Sequence, residues 1–548
     1  MRPIVDVAAE IGLTPEDLML FGPHMAKVTL PALRRLHAQP ARGRIVLVSA
    51  INPTKFGEGK TTVSIGLSEG LRRIGKQVAL ALREPSLGPI FGVKGGGTGG
   101  GKAKVEPSDR INMHFTGDLH AVTAAHNLLA ALADNAINYP RGGTIEMEHR
   151  QVLWRRVLDM NDRFLRKIVI GLGGKANGVP REDGFDITAA SEVMAVLCLA
   201  KDLQDLKVRL ARILVGFDTR GEPVTAGRLN ATGAMAALLR DALLPNLVQN
   251  SEGGPAFVHG GPFGNIAHGC NSVIATKTAV ACSDYVVTEA GFGFDLGAEK
   301  FFDIKCRAAN IWPRAVVLVA TARALKFHGG DAGGKTGGAE AIAALERGIS
   351  NLEQHVQSVR AFGFDPVIAI NQFAFDREEE LAAIEAACRG RKLAFARYRG
   401  FAEGGAGAET LAREVVAAAD QPSAGPRFLY ELDDEPETKI RNVATTIYGA
   451  KEVVFTRDAQ KDLERARTLG HSKLPICMAK TQMSLSDDPA AVGRPRDFTL
   501  TVRNVRIAAG AGYLLPLTGD IVTMPGLPAN PAANAIDLTD EGEVVGIT

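Results

Sequence analysis

The chain has 548 residues, 46% hydrophobic and 23% charged; that is too long for one simple core, so about two to four domains are expected. Its formal net charge is only +2, with acidic and basic residues mixed throughout. This leaves no electrostatic footprint for nucleic acid or an anionic membrane. The six cysteines (Cys198, Cys270, Cys282, Cys306, Cys388 and Cys477) form no CxxC pair, so neither a disulfide framework nor a zinc site is expected. No apolar run approaches the roughly 20 residues needed to span a bilayer. Asp6 and Glu10 interrupt the opening apolar stretch, which argues against a signal peptide and for a cytoplasmic protein with reduced thiols.

In chain order, Thr14-Pro15-Glu16-Asp17 reads as a helix start, with a capping threonine, proline at the first helical position and acids in the first turn. Ile45-Val46-Leu47-Val48 is a strand-length apolar run, followed by a glycine-bearing turn and a helical pattern from Lys60 to Gly75. Residues 77–82 form the next predicted strand. Further strand-length runs occur at 168–170, 213–217, 285–288, 315–320 and 366–370. Amphipathic helical stretches separate them, notably 188–212 and 338–361. This alternation predicts an α/β fold with a mainly parallel, buried sheet. Gln421-Pro422-Ser423-Ala424-Gly425-Pro426 reads as a connector into a smaller α+β domain.

The segment Thr54-Lys55-Phe56-Gly57-Glu58-Gly59-Lys60-Thr61-Thr62 sits between predicted strand and predicted helix, the context a phosphate-binding loop requires. Small residues let backbone N–H groups turn inward on phosphate oxygens, and the helix N-terminus adds partial positive charge. Lys60 would reach the outer phosphates of ATP, and the Thr61 hydroxyl would ligate Mg²⁺. Thr54 stands where the usual pattern begins with glycine, so the motif is broken at its first position. Arg83-Glu84-Pro85 ends the next strand, where ligands gather in open parallel sheets. Placed one strand along from the loop, Arg83 could face a terminal or acyl phosphate, or form a structural ion pair. The cluster from Lys94 to Lys102, with six glycines in seven residues, reads either as a flexible linker or as a mobile loop over the site.

These phrases, together with Phe115-Thr116-Gly117-Asp118-Leu119-His120-Ala121 and the segments 259–272, 286–307, 474–482 and 517–528, resemble the formate–tetrahydrofolate ligases in the same order along essentially the whole chain. The resemblance implies a P-loop NTPase-like α/β core plus two smaller α/β or α+β domains. Their expected bounds are 1–362 with a helical insertion around 125–245, 363–425, and 426–548. It also implies a two-step reaction of formate, ATP and tetrahydrofolate through formyl phosphate. Magnesium, a monovalent cation (K⁺ or NH₄⁺) and a homotetramer are implied as well. By resemblance Lys60 and Arg83 stabilise charge on phosphoryl and formyl oxygens, Glu84 accepts a proton or orients a group, and His120 lies near the reaction centre. Phe292 and Phe401 would stack on the folate from opposite faces, with Phe401 replacing a tryptophan usual in the family. Lys102 and Met483 stand where tyrosines are expected and Phe294 where a small residue is expected, so departures collect around the expected folate pocket.

Other candidates are weaker. The spacing of His114, His120 and His126 does not put them on one helix face, so no metal site is expected there. His268 and Cys270 lie in a glycine-rich phrase that reads as backbone closing over a ligand. Asn371-Gln372-Phe373 ends a strand and is expected near the adenine. Two rival readings stay open: another carboxylate-activating P-loop ligase, and a non-catalytic paralogue that retains ATP binding.

Overall fold

The computed structural model describes residues 1–55, 57–93, 96–139, 145–331, 333, 337–422 and 425–547. Phe56 of the phosphate-loop segment, Lys94 and Gly95 of the glycine cluster, and Ser423 and Ala424 of the connector lie outside them. The chain is built on a large mixed sheet in which seven strands run parallel: β1 (Arg44–Ala50), β2 (Val78–Leu82), β3 (Pro255–Val258), β4 (Tyr285–Glu289), β5 (Ala315–Ala320), β6 (Val367–Asn371) and β7 (Phe395–Tyr398). Their order across the sheet is β3-β2-β4-β1-β5-β6-β7. Beyond β3 the sheet turns antiparallel through Asn246–Asn250, which pairs with both Ala26–Val28 and Ala103–Glu106.

The strands are apolar at nearly every position because both faces are covered. Alternate residues feed two different cores, as a period of two requires. Ile45 and Leu47 enter the larger cluster, with Phe302, Leu352 and Val356, while Val46 and Val48 enter the smaller one. The smaller core is roofed by α1 (Lys60–Arg73) through Val63, Ile65, Leu67 and Leu71, and by Leu411, Ala412 and Val415. Two glycines on α1 admit the end of β7 and the chain that follows it. A Cβ at Gly66 would lie 2.2 Å from the Tyr398 hydroxyl, and one at Gly70 would lie 2.9 Å from Ala408.

Several expectations change. The predicted helix at Thr14 is a single 3-10 turn, Pro15–Asp17, leading into a strand at Leu18–Leu20. The capping bond forms, Thr14 N–H donating to Asp17 Oδ2 at 2.9 Å, but antiparallel pairing of Leu18–Leu20 with Ala26–Val28 ends the helical path at once. The runs at 168–170 and 213–217 are strands outside the main sheet, in a two-stranded hairpin and a three-stranded sheet. The stretch read as a helical insertion therefore mixes strands with its helices: Met147–Val152 pairs with Leu214–Asp218, and Arg156–Leu158 with Phe185–Ile187. Residues 188–212 break into two helices, Glu192–Leu199 and Leu203–Arg212, with Asp202 capping the second. At the far end, Glu452–Phe455, Thr499–Ala508 and Tyr513–Thr518 form a small sheet backed by the helix Arg457–Thr468.

Candidate active site

The loop from β1 to α1 is tied to the carboxyl ends of β5 and β6 at Glu58, through its side chain and its carbonyl. The N–H and hydroxyl of Thr54 both donate to Glu58 Oε1, at 3.0 and 2.9 Å. The hydroxyl of Thr321, just past β5, donates to Glu58 Oε2 at 2.7 Å. Asn371 Nδ2, the last residue of β6, donates to the Glu58 carbonyl at 2.9 Å. Thr54 therefore does structural work that a glycine could not. Gly57 and Gly59 take left-handed φ values of 76° and 68°. At Gly59 the packing adds a second demand, since a Cβ would lie 2.5 Å from Asn371 Nδ2. Lys55 and Gly57 are exposed, whereas Thr54 and Glu58 are buried.

Beyond the loop, the first turn of α1 meets the end of β4. Thr61 Oγ1 donates to Glu289 Oε2 at 2.9 Å, and Arg83 Nη2 lies 3.7 Å from Glu289 Oε1. Lys60 Nζ donates to the Phe292 carbonyl at 2.7 Å. Phe292 has a left-handed φ of 58°, a conformation costly for a bulky residue, and it is held there by what surrounds it. Arg83 stands two strands from β1, because β4 inserts between β1 and β2. Glu289 fills that gap and is a site residue that the sequence reading missed. Its signal was its place as the last residue of an apolar strand, but the partners lie some two hundred residues away in sequence.

Burial, and then the nearby Asp118 carboxylate, hold the Glu84 carboxyl well above the ordinary range. Arg83 Nε and Glu84 Oε2 are buried without a hydrogen-bond partner among the described residues. Asp118 is itself gripped by the buried Lys27 ammonium, at 2.8 and 2.9 Å. His120 follows two residues later, exposed, in the first turn of the helix Asp118–Asn138.

The two expected stacking rings flank the start of α1. Phe292 joins it through Lys60 and packs on Gly264, whose Cβ position lies 3.1 Å from the ring. Phe401 is 52% exposed and lies over the glycine cluster, where Lys102 N–H donates to its carbonyl at 2.9 Å. The described part of that cluster is a hairpin, Gly99–Gly100 pairing with Ala103 and Lys104. Phe294 is not a pocket residue. It is fully buried, 6.1 Å from each of Phe302 and Phe362, because the turn after Gly293 directs it into the core. Beyond β6, Phe373 and Phe375 stack at 5.3 Å with Arg323 over both rings. Phe375 is 60% exposed, so this pair is a second aromatic platform at the same edge.

His126 and His268 are both buried. His126 stacks on Trp154 and is bonded to Ser191 and Arg155, and burial pushes it down to about 4. His268 is fully buried and held well below its ordinary value by burial and surrounding cations. Cys270 is fully buried, and burial lifts its thiol to about 11. No group of three or more His, Cys, Asp or Glu side chains among the described residues could hold a metal ion. A polar cleft of about 640 Å³ opens beside Asn265, walled by Lys480, Thr481, Gln482, Thr518 and Asp520 from the C-terminal phrases. No helix among the described residues is long and apolar enough to cross a membrane.

A glycine-turned loop at the carboxyl edge of a parallel sheet, with lysine, arginine and a carboxylate converging on it, defines an α/β enzyme that handles an anionic ligand. The chain belongs to the formate–tetrahydrofolate ligase family, whose model it matches over residues 1–548. It is 56% identical to the formate–tetrahydrofolate ligase of Myxococcus xanthus (strain DK1622) over 550 residues, covering 100% of this chain and 99% of the relative. It is 52% identical to the enzyme of the same name from Bacillus licheniformis over 547 residues, covering 100% and 97%.

Proposed function

We propose that the chain joins formate to tetrahydrofolate at the expense of ATP, giving 10-formyltetrahydrofolate, ADP and phosphate. A formate oxygen attacks the terminal phosphorus and ADP leaves. N10 of tetrahydrofolate then attacks the formyl carbon, phosphate leaves, and the proton lost from N10 passes to the departing phosphate. Formate alone is a poor acyl donor, because its leaving group would be oxide or hydroxide; phosphorylation replaces that with phosphate. Both steps place negative charge on phosphoryl and formyl oxygens, so fixed cations are the main catalytic device.

In this reading the core is P-loop NTPase-like. Residues 1–362 hold the nucleotide, 363–425 contribute to the folate side, and 426–548 close the far end. Lys60 and Arg83 face the transferring phosphoryl group, and the backbone from Thr54 to Thr61 cradles the phosphates. Mg²⁺ would be held at the Thr61 hydroxyl with the Glu289 carboxylate behind it, oxygen donors suited to a hard cation, and would neutralise phosphate charge. Glu84, buried next to Arg83, accepts a proton or orients a group, while His120 lies near the reaction centre. Phe292 and Phe401 take the folate ring system, and Phe373 with Asn371 takes the adenine side. A monovalent cation (K⁺ or NH₄⁺) and a homotetramer belong to this reading by resemblance.

The observation that carries it is the convergence of Lys60, Thr61, Arg83 and Glu289 at one sheet edge in a chain that is a family member along its whole length. The test supplies formate, ATP and tetrahydrofolate together and follows ADP release and 10-formyltetrahydrofolate absorbance. Folate-dependent turnover is expected; ATP binding without formylated product would sink the proposal.

A further inference from the structure

The segment bearing Phe401 is short, half exposed and rich in glycine, yet it is held at one defined place. On one side Lys102 N–H donates to the Phe401 carbonyl at 2.9 Å. On the other, Gly405 N–H donates to Glu252 Oε1 at 3.0 Å. The same carboxylate takes a forked pair of bonds from Arg73, with Nε at 2.9 Å from Oε2 and Nη2 at 2.8 Å from Oε1. Arg73 is the last residue of α1, the helix whose first residue is Lys60.

Glu252 is itself fixed by its turn. Gly253 N–H donates to the Asn250 carbonyl at 2.8 Å, and Gly254 N–H to Asn250 Oδ1 at 2.7 Å. Asn250 Nδ2 reaches Ser68 of α1 at 3.2 Å, and Ser251 N–H donates to the Lys104 carbonyl at 2.9 Å. The fit at Gly405 leaves no room for a side chain. A Cβ there would lie 2.8 Å from Glu69 Cβ, 2.9 Å from Arg73 Nε and 2.9 Å from Glu252 Oε2. Among the described residues, none of these bonds reaches the loop from Thr54 to Thr61. What they fix is the distance between the far end of the nucleotide helix and the exposed ring of Phe401.

We propose that Glu252 and Arg73 are positioning residues for the folate: together they clamp Gly405 and so hold the Phe401 ring over the start of the nucleotide helix. The proposal rests on the reading of Phe401 as a folate-stacking ring. An unclamped segment would have to be ordered by the substrate itself, and that cost appears in the folate requirement.

Two measurements on the full-length protein separate the clamp from that reading. Amide hydrogen exchange over residues 400–407 should run about tenfold faster or more in Glu252→Ala than in wild type. In steady-state kinetics Glu252→Ala should raise the tetrahydrofolate KM by about fivefold or more, with kcat and the ATP KM within about twofold. Glu252→Gln, whose amide oxygen can still accept from Gly405, should recover most of the loss. In Phe401→Ala the further change Glu252→Ala should add little, because the ring it positions is gone. Unchanged exchange, an unchanged folate KM, or a Gln variant no better than Ala would each overturn the clamp. A folate KM untouched by Phe401→Ala would overturn the stacking reading, and the positioning role with it, whatever exchange shows.

Discussion

Lys60 and Glu289 show how single side chains acquire their roles. Lys60 donates from its ammonium to the Phe292 carbonyl, 2.7 Å away, and in the proposed reaction it faces the transferring phosphoryl group. Lys60→Ala should therefore lower turnover by about 10³-fold, since a fixed donor aimed at developing charge contributes about 10²–10³ even in milder settings. A measured loss below tenfold in a folded variant would remove Lys60 from the reacting centre. Glu289 joins Thr61 and Arg83, so Glu289→Gln keeps an acceptor for the Thr61 hydroxyl but loses the charge facing the guanidinium. With Mg²⁺ at Thr61 as proposed, turnover should fall by about 10–100-fold, the range typical when an outer partner of a metal ligand is changed, and half-maximal activity should need more Mg²⁺. A magnesium titration that superimposes on wild type would refute this role.

The helix α1 links the phosphate end of the site to the aromatic end. Its N-terminus follows the glycine-turned loop, its glycines receive Tyr398 and Ala408, and its last turn carries Arg73. Glu69 on the same face is fully buried; burial first, and then the Glu252 carboxylate, push its carboxyl up to about 8. An acid whose folded value is raised keeps its proton on folding while the unfolded chain has lost it. Stability therefore falls as pH rises from the ordinary glutamate value, 4.5, to about 8, and is level outside that window. Glu69→Gln removes this dependence. Relative to wild type it should gain roughly 1–3 kcal/mol more at pH 8 than at pH 5, a discount on the full 1.36 kcal/mol per unit. Urea denaturation at the two pH values reads this out, and an equal difference at both would show that Glu69 does not titrate there.

Across the whole molecule, one buried apolar cluster runs from Ile4 to Leu515, so the small C-terminal sheet shares a core with the large one. Polar contacts reinforce the join. Glu192 accepts from Gly510 and Ala511 N–H at 2.7 and 3.2 Å, and Arg209 Nη1 donates to the Ala511 carbonyl at 2.9 Å. Elements with a common core lose it together. Calorimetry should show one principal unfolding transition, with the C-terminal sheet melting alongside the rest. A separate early transition assigned to residues 426–547 would contradict this.

The strand, the glycine-turned loop and the helix α1 were legible in the chain because their ingredients are neighbours: an apolar run, glycines, Lys60-Thr61 and a helical period, all within thirty residues. The alternation of strands and helices was legible for the same reason, as periodicity is a local property. The insertion of β4 between β1 and β2, and with it the meeting of Glu289 with Thr61 and Arg83, was not. Strand order is decided by how whole faces bury one another, and the partners lie far apart in sequence. The same limit sent Phe294 into the aromatic core rather than the pocket, turned the predicted helix at Thr14 into a single turn, and left the grip of Glu252 on Gly405 invisible until the chain was folded. Residue types and local spacing prescribe which chemistry the chain can carry; long-range packing chooses which side chains stand together to perform it.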